Sequence, residues 1–106
     1  MQLETLLPLG KVDPGTREAA VPLDIHEVAR DARLLEELGY FGLAVEETKD
    51  DPFILLSIAA QATTRLMLGT SVAIAFPRAP AITALSAWTV QKLSHGRMLL
   101  GLGSQV

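Results

Sequence analysis

The chain has 106 residues, of which 49% are hydrophobic and 20% are charged, so it is expected to fold as one small domain or part of one. The net charge is −3 and no basic cluster is present, which argues against a nucleic-acid-binding surface. Cysteine is absent, which excludes disulfide bonds, thiolate ligands and cysteine nucleophiles, and two distant histidines make a metal site improbable.

The beginning of the chain lacks the pattern of a signal peptide. Every apolar run is interrupted well before the roughly 18 residues that a membrane helix needs. We therefore predict a cytoplasmic protein that has neither a membrane segment nor a nucleic-acid partner.

Four predicted strands alternate with three predicted helices. The strands cover residues 3–7, 43–45, 66–75 and 97–102. A carboxylate caps each of the first two helices, because Asp24 precedes one and Asp51 precedes the other at Asp51-Pro52. Gly39 ends helix one, and helix three runs from Pro80 to His95-Gly96.

Helical spacing predicts which side chains face the core. The predicted core residues are Ile25, Val28, Ala29, Ala32 and Leu35 in helix one, Ile54, Leu55, Ile58, Ala59 and Ala62 in helix two, and Ile82, Leu85 and Trp88 in helix three.

The order β-α-β-α-β-α-β predicts a parallel sheet with right-handed crossovers. An open doubly wound sheet and a (β/α)8 barrel both begin this way, and a barrel takes about 250 residues. The last strand enters a glycine loop that normally feeds a further helix. The sequence therefore predicts that residues 1–106 are the N-terminal portion of a larger α/β domain.

In both architectures, ligands bind at the carboxyl ends of the strands. Glu46 and Glu47 follow the second strand, and at most one of these carboxylates can face a given pocket because neighbouring strand residues alternate. Arg78 lies just before helix three, where the helix dipole disfavours a cation, so it needs an anion. That anion is either an acidic loop residue or a carboxylate or phosphate of a ligand. Gly101-x-Gly103-Ser104 either admits a phosphate or ring close to the backbone or forms a close-packed turn.

The chain resembles the luciferase-like monooxygenase family, which comprises (β/α)8 oxidoreductases that use flavin or deazaflavin. The matching segments are LLPLGKVDPG at 6–15, ELGYFG at 37–42, LGTSV at 68–72 with RAP at 78–80, and SHGR at 94–97 with LGLGS at 100–104. The resemblance is closest to the subgroup that uses coenzyme F420, a deazaflavin, as its hydride carrier. It implies that the chain forms the first half of a (β/α)8 barrel.

The resemblance also implies roles for individual residues. Glu47 occupies the position of a catalytic or cofactor-contacting acid, and Thr48 stands where the family often has histidine. Ser71-Val72 matches a bulge with a non-proline cis peptide that supports the cofactor ring. Arg78, Gly103 and Ser104 match residues that line the cofactor pocket, whereas the cofactor phosphate is held mainly by later βα loops.

We therefore predict the N-terminal part of an F420-dependent oxidoreductase that moves hydride to or from a small organic substrate. An FMN-dependent monooxygenase of the same fold is the alternative enzyme. A third hypothesis is a truncated, non-catalytic half barrel that associates with itself, since its open edges and apolar inner surface favour a homo-oligomer.

Overall fold

A computed structural model describes residues 3–7 and 23–104 of the chain. The strands are β1 (Glu4–Leu6), β2 (Gly42–Val45), β3 (Met67–Thr70), β4 (Ala73–Ile74), β5 (Met98–Leu99) and β6 (Leu102–Gly103). The helices are α1 (Val28–Glu37), which follows a 3-10 turn at Ile25–Glu27, α2 (Pro52–Ala62) and α3 (Pro80–Leu93). No helix in these two ranges is long and apolar enough to cross a membrane.

The main sheet contains four parallel strands in the order β1-β2-β3-β5. Its register places Leu43 of β2 between Thr5 and Leu68, and Leu68 beside Met98. The strands run parallel because a helix connects each of them to the next strand of this sheet. The predicted α/β class with a parallel sheet is confirmed, while the half-barrel arrangement stays a prediction.

The third and fourth predicted strands are each interrupted, although the sequence predicts continuous strands over residues 66–75 and 97–102. Residues 71–72 separate β3 from β4, and the Ser71-Val72 peptide is cis, as the family resemblance implies. Residues 100–101 separate β5 from β6. The second halves, β4 and β6, then pair in parallel as a sheet of their own.

The hydrophobic core lies between the sheet and the helices. The strands contribute Leu43, Val45 and Leu68, and the helices contribute Val28, Ala32, Leu35, Leu55, Leu56, Ala59, Ala60 and Val90. The opposite face of the sheet carries the small residues Gly42, Ala44 and Gly69. These line a concavity of about 230 Å³ together with Glu4, Met67 and Leu99.

The predicted helix boundaries are confirmed at three positions. Asp24 accepts a hydrogen bond from the His26 amide (3.0 Å), and Asp51 accepts one from the Phe53 amide (2.8 Å). Gly39 has a φ of +85°, the left-handed conformation that glycine adopts without steric cost.

The predicted inward faces of the helices are wrong at several positions. Ile25, Ile54, Ile82, Leu85 and Trp88 are exposed, Trp88 to 60%. Ile25 points outward because the chain there forms a 3-10 turn, so α-helical spacing begins only at Val28. The other misassigned residues lie in α2 and α3, which carry apolar side chains on more than one face. Leu55 and Ala59 of α2 are buried as predicted. The buried positions that the prediction missed include Phe53, Leu56 and Ala60 in α2 and Thr83 and Val90 in α3.

A buried cation joins α2 to the amino end of β5. Arg97 is 7% exposed and donates hydrogen bonds to the carbonyl oxygens of Thr63 (3.0 Å), Leu66 (2.8 Å) and Ser94 (2.6 Å), as well as to the hydroxyl of Thr63 (2.8 Å). Burial lowers the pKa of Arg97, while the charge of Glu36 acts in the opposite direction.

Glu36 caps the turn that follows α2. Its carboxylate accepts hydrogen bonds from the amides of Thr64 (3.1 Å), Arg65 (2.8 Å) and Leu66 (2.8 Å). Burial raises the pKa of this carboxyl, but the hydrogen bonds and the charge of Arg65 outweigh burial and hold the pKa below its ordinary value.

Candidate functional site

The predicted site residues lie at the carboxyl ends of the parallel strands, and Glu47 stands at the centre of the group. Its amide donates to the Val72 carbonyl (3.3 Å), and its carboxylate oxygen Oε2 accepts from the Ile74 amide (3.3 Å). The residue therefore holds the segment 72–74 through both its backbone and its side chain. This segment includes the whole of β4.

Arg78 is paired with Glu47. Its Nη1 atom donates to Glu47 Oε2 (2.9 Å) and to the Ile74 carbonyl (3.2 Å). The same nitrogen forms an ion-pair contact with Glu47 Oε1. The two side chains are only 17% and 12% exposed, so the pair is shielded from water. The structure thus supplies the first of the two anions that the sequence left open for Arg78, an acidic loop residue.

Two residues at the start of α2 complete the surroundings of Arg78. Asp51 Oδ1 lies 3.8 Å from Arg78 Nη2, and the guanidinium carbon lies 5.3 Å from the centre of the Phe53 ring. Such a cation–ring geometry is attractive. The sequence predicts Asp51 as a helix cap within the acidic loop. Nothing in the sequence near Phe53 predicts its contact with Arg78.

The two glycines of the last loop serve close packing between strands. A Cβ at Gly101 would collide with the carbonyl oxygen of Thr70, and a Cβ at Gly103 would lie 2.5 Å from Val72 Cγ2. The Thr70 hydroxyl donates to the Gly101 carbonyl (2.7 Å) and accepts from its amide (2.8 Å). Of the two predicted functions for this loop, the described residues show the close-packed turn. Sequence reasoning missed Thr70.

Ser71, Val72 and Ser104 form an exposed patch beside this turn, which we call the Val72 surface. Ser71 and Ser104 are exposed, and Val72, which packs on Gly103, is 38% exposed. Contacts join four of the predicted site residues, because Val72 touches both Glu47 and Gly103 and Glu47 binds Arg78. Ser71 and Ser104 are the chain neighbours of Val72 and Gly103.

The SHGR segment at 94–97 lies at the other end of the sheet. His95 and Gly96 form a turn with positive φ angles of 54° and 89°, and Arg97 follows as the buried cation described above. This part of the family resemblance therefore reflects packing at the amino end of β5. It contributes no residue to the site at the carboxyl ends of the strands.

Comparison with known proteins gives a consistent family. The sequence model of the luciferase-like monooxygenase family matches residues 1–106. The uncharacterized protein Rv1360 of Mycobacterium tuberculosis is 42% identical over 89 residues, which is 84% of this chain and 26% of that protein. The 5,10-methylenetetrahydromethanopterin reductase of Methanolobus tindarius is 34% identical over 86 residues, which is 78% of this chain and 26% of the reductase.

Solved structures with the same fold include both reductases and monooxygenases. Monooxygenase RslO1 from Streptomyces bottropensis superposes with a TM-score of 0.78 at 26% identity, covering 97% of this chain and 33% of that one. A coenzyme F420-dependent tetrahydromethanopterin reductase from Methanopyrus kandleri gives 0.75 at 21% identity, covering 99% and 27%. A type II Baeyer–Villiger monooxygenase from Pseudomonas putida, in complex with FMN, gives 0.80 at 16% identity, covering 100% and 30%.

The chain spans about a quarter of the length of the curated relatives that it matches. All 106 residues lie within the match to the family's sequence model, and the fold superposes on the three structural neighbours with TM-scores of 0.75 to 0.80. The chain belongs to the luciferase-like monooxygenase family.

Proposed function

We propose that this chain forms one wall of the cofactor pocket in an F420-dependent oxidoreductase, which moves hydride to or from a small organic substrate. Two relatives support this choice. The Methanolobus tindarius protein, 34% identical, is named a reductase, and the Methanopyrus kandleri reductase of the same fold is named as F420-dependent. Luciferase-like chains of this kind thus include reductases as well as monooxygenases.

The observation that carries the proposal is the Val72 surface. It presents a half-exposed apolar side chain, flanked by two hydroxyl-bearing residues, at the end of the sheet where ligands of parallel α/β proteins bind. Such a patch fits the face of a planar ring, because the apolar group can pack on the ring while hydroxyls satisfy its polar edge. The described residues therefore suit the ring of a deazaflavin or flavin.

The same residues do not suit the cofactor's phosphate. Arg78 is the one cation that the sequence predicts at this site, and Glu47 already neutralises it. We propose that Arg78 contributes to the pocket through its neighbours, and that phosphate is bound by other parts of the protein. This agrees with the rule that phosphate sites of (β/α)8 barrels follow the last two strands.

The deazaflavin supplies the ring carbon that accepts or donates hydride, and the protein supplies position and shielding. In this proposal Val72 packs against one ring face and keeps water from it, which leaves the opposite face for the substrate. Ser71 and Ser104 bind polar atoms of the ring edge. The family resemblance implies a catalytic role for Glu47, and its ion pair with Arg78 makes a positioning role the alternative.

An FMN-dependent monooxygenase is the second candidate. Monooxygenase RslO1 is 26% identical with a TM-score of 0.78, and the Val72 surface would accept a flavin ring as well as a deazaflavin ring. A monooxygenase would bind a reduced flavin and expose it to oxygen, whereas the reductase needs only hydride exchange.

Equilibrium binding to the two cofactors separates the candidates. The complete gene product that contains this chain is titrated with F420 and, separately, with FMN, and binding is followed by cofactor fluorescence. We expect an affinity for F420 at least about tenfold higher than for FMN, a difference of about 1.4 kcal/mol in binding free energy. A higher affinity for FMN would contradict the F420-dependent oxidoreductase and favour the FMN-dependent monooxygenase.

A further inference from the structure

We infer that Glu47 and Arg78 form a clamp that fixes the position of the Val72 surface, and that Glu47 is a positioning residue and not a proton carrier. The inference rests on the proposed function, because it assigns a role to two residues of the same site. It also makes a claim about the chain itself that requires no cofactor.

Glu47 and Arg78 make several hydrogen bonds to one short segment, residues 72–74. The Glu47 amide binds the Val72 carbonyl, and the Glu47 carboxylate binds the Ile74 amide. Arg78 binds the Ile74 carbonyl, so both backbone polar groups of Ile74 are held by the pair. Between them, the Ala73 amide donates to the Gly101 carbonyl at 2.8 Å. The segment is thus held from β2 on one side and from the last loop on the other.

The Glu47 carboxylate is directed at Arg78. Oε2 is occupied by Arg78 and by the Ile74 amide, while Oε1 is buried and contacts Arg78. A proton carrier must come within hydrogen-bond reach of the reacting atom. Both oxygens contact the guanidinium, so neither is free to meet a reacting atom while the ion pair holds. This geometry suits a structural ion pair.

Glu47 and Arg78 each depend on the other for charge compensation. Arg78 lies just before the first turn of α3, where the helix dipole is unfavourable for a cation. Glu47 compensates that charge, and the Phe53 ring and Asp51 hold the guanidinium from the α2 side. Removal of Glu47 would leave a shielded cation without its main counter-ion, which is costly. Removal of Arg78 would leave the carboxylate in the same condition.

The test uses Glu47→Gln, Arg78→Met and the double variant in the complete gene product. If Glu47 and Arg78 position the Val72 surface, each single variant should raise the Kd of the cofactor by about three- to tenfold. The Kd of the double variant should not exceed that of the weaker-binding single variant, because the effects of coupled residues are not additive. For Glu47→Gln we expect kcat to fall by less than about tenfold, since loss of a general acid or base costs about 10² to 10⁴. An unchanged Kd together with a loss of turnover of about 100-fold or more would instead make Glu47 catalytic.

Glu36→Gln is the matched control. Glu36 is also a carboxylate that binds backbone amides, but it lies at the amino end of β3. We expect this variant to lower the melting temperature without changing the Kd of the cofactor at a temperature well below melting. An equal rise in Kd for Glu36→Gln would show that general destabilisation, and not the clamp, controls binding.

Amide hydrogen exchange of the cofactor-free protein provides the independent readout. The Ile74 amide should exchange faster in Glu47→Ala and Arg78→Met than in the parent protein, while Glu36→Gln leaves it unchanged. Unchanged exchange at Ile74 in Glu47→Ala would overturn the clamp, whichever cofactor binds. If the parent protein prefers FMN, the F420 proposal fails while the same variants still test the clamp with FMN.

Discussion

At the scale of single residues, Arg97 shows how a cation is kept in the interior. Its guanidinium faces carbonyl oxygens at the end of α2 and in the following turn, and no carboxylate of the described residues contacts it directly. The planar fork of five N–H groups makes this possible, and a lysine ammonium could not reach the same set of acceptors. The carbonyls at this helix end would otherwise lack partners.

Replacement of Arg97 should therefore be costly even when the charge is kept. We expect Arg97→Lys to lower the free energy of unfolding by about 3 kcal/mol, because several buried carbonyl groups lose a charged donor. Urea denaturation measures the loss. Arg33→Lys, on the exposed side of α1, is the matched control and should change stability by less than about 0.5 kcal/mol. Equal effects of the two changes would contradict the account.

Glu36 should make the free energy of unfolding depend on pH in the acidic range. Its folded-state pKa lies below the unfolded value, so its contribution is complete above the unfolded pKa and is lost as the pH falls through the folded pKa. We expect the stability difference between the parent and Glu36→Gln to be constant near neutral pH and to shrink below about pH 4 to 5. Thermal unfolding at a series of pH values measures it. A difference that does not change with pH would refute the assignment.

The residue-scale predictions from sequence succeeded where the signal was local. The caps at Asp24 and Asp51 and the turn at Gly39 depend on neighbouring residues, and all three are confirmed. The partner of Arg78 was left open between two anions, because Glu47 is 31 positions away and only the fold brings them together.

At the scale of elements, the approach of β3 to the loop after β5 explains why each predicted long strand is interrupted. Thr70 and Gly101 bind each other through the threonine hydroxyl, and this takes the place of ladder pairing at the point of interruption. The contact leaves no room for a side chain at residue 101, because a Cβ there would collide with the Thr70 carbonyl. Hydrophobicity alone gave no signal for either interruption.

Two glycine substitutions separate packing from backbone conformation. Gly101→Ala should lower the free energy of unfolding by about 3 kcal/mol or more, because the new Cβ would collide with the backbone carbonyl of Thr70 in the neighbouring strand. A Cβ at Gly39 would meet no atom within 4 Å. Gly39→Ala should therefore lower the free energy of unfolding by only about 1 kcal/mol, because alanine must adopt the left-handed conformation there. Urea denaturation of both variants gives the comparison. A cost for Gly101→Ala no larger than that for Gly39→Ala would contradict the close approach.

Helix α3 was the least predictable element. Its inward positions are Thr83 and Val90, with Ala87 partly buried, and such small residues let the helix pack closely on its neighbours, α2 among them. The large apolar residues Ile82, Leu85 and Trp88 point outward instead. Apolar side chains on several faces leave helical spacing ambiguous, so only tertiary packing decided which face was buried.

At the scale of the whole molecule, residues 3–7 and 23–104 expose surfaces that folded proteins usually cover. Strands β1 and β5 are the edge strands of the four-stranded sheet. The concavity lined by Gly42, Ala44 and Gly69 is open. Large apolar side chains are exposed on α2 and α3. The relatives are about four times as long, so much of their structure has no counterpart in these 106 residues.

Produced in isolation, the 106-residue chain should associate with itself and bind F420 only weakly. Exposed strand edges and contiguous apolar surface both favour association. Light scattering coupled to size-exclusion chromatography measures the first property, and cofactor fluorescence measures the second. A stable monomer that binds F420 tightly would contradict this expectation.

The alternation of strands and helices was the most predictable feature of the molecule. It follows from local spacing, and the confirmed parallel order β1-β2-β3-β5 agrees with it. The clustering of Glu47, Val72, Arg78 and Gly103 followed from one topological rule, that parallel strands share a carboxyl edge. Their individual contacts required the fold, because each joins segments that are distant in sequence.

A crystal structure of the complete gene product with bound F420 tests the central claim most directly. We predict that the deazaflavin ring packs on Val72, with carbon atoms within about 4 Å of its side chain, and that its phosphate lies away from Arg78. A ring bound elsewhere, with Ser71, Val72 and Ser104 not in contact with it, would contradict the account.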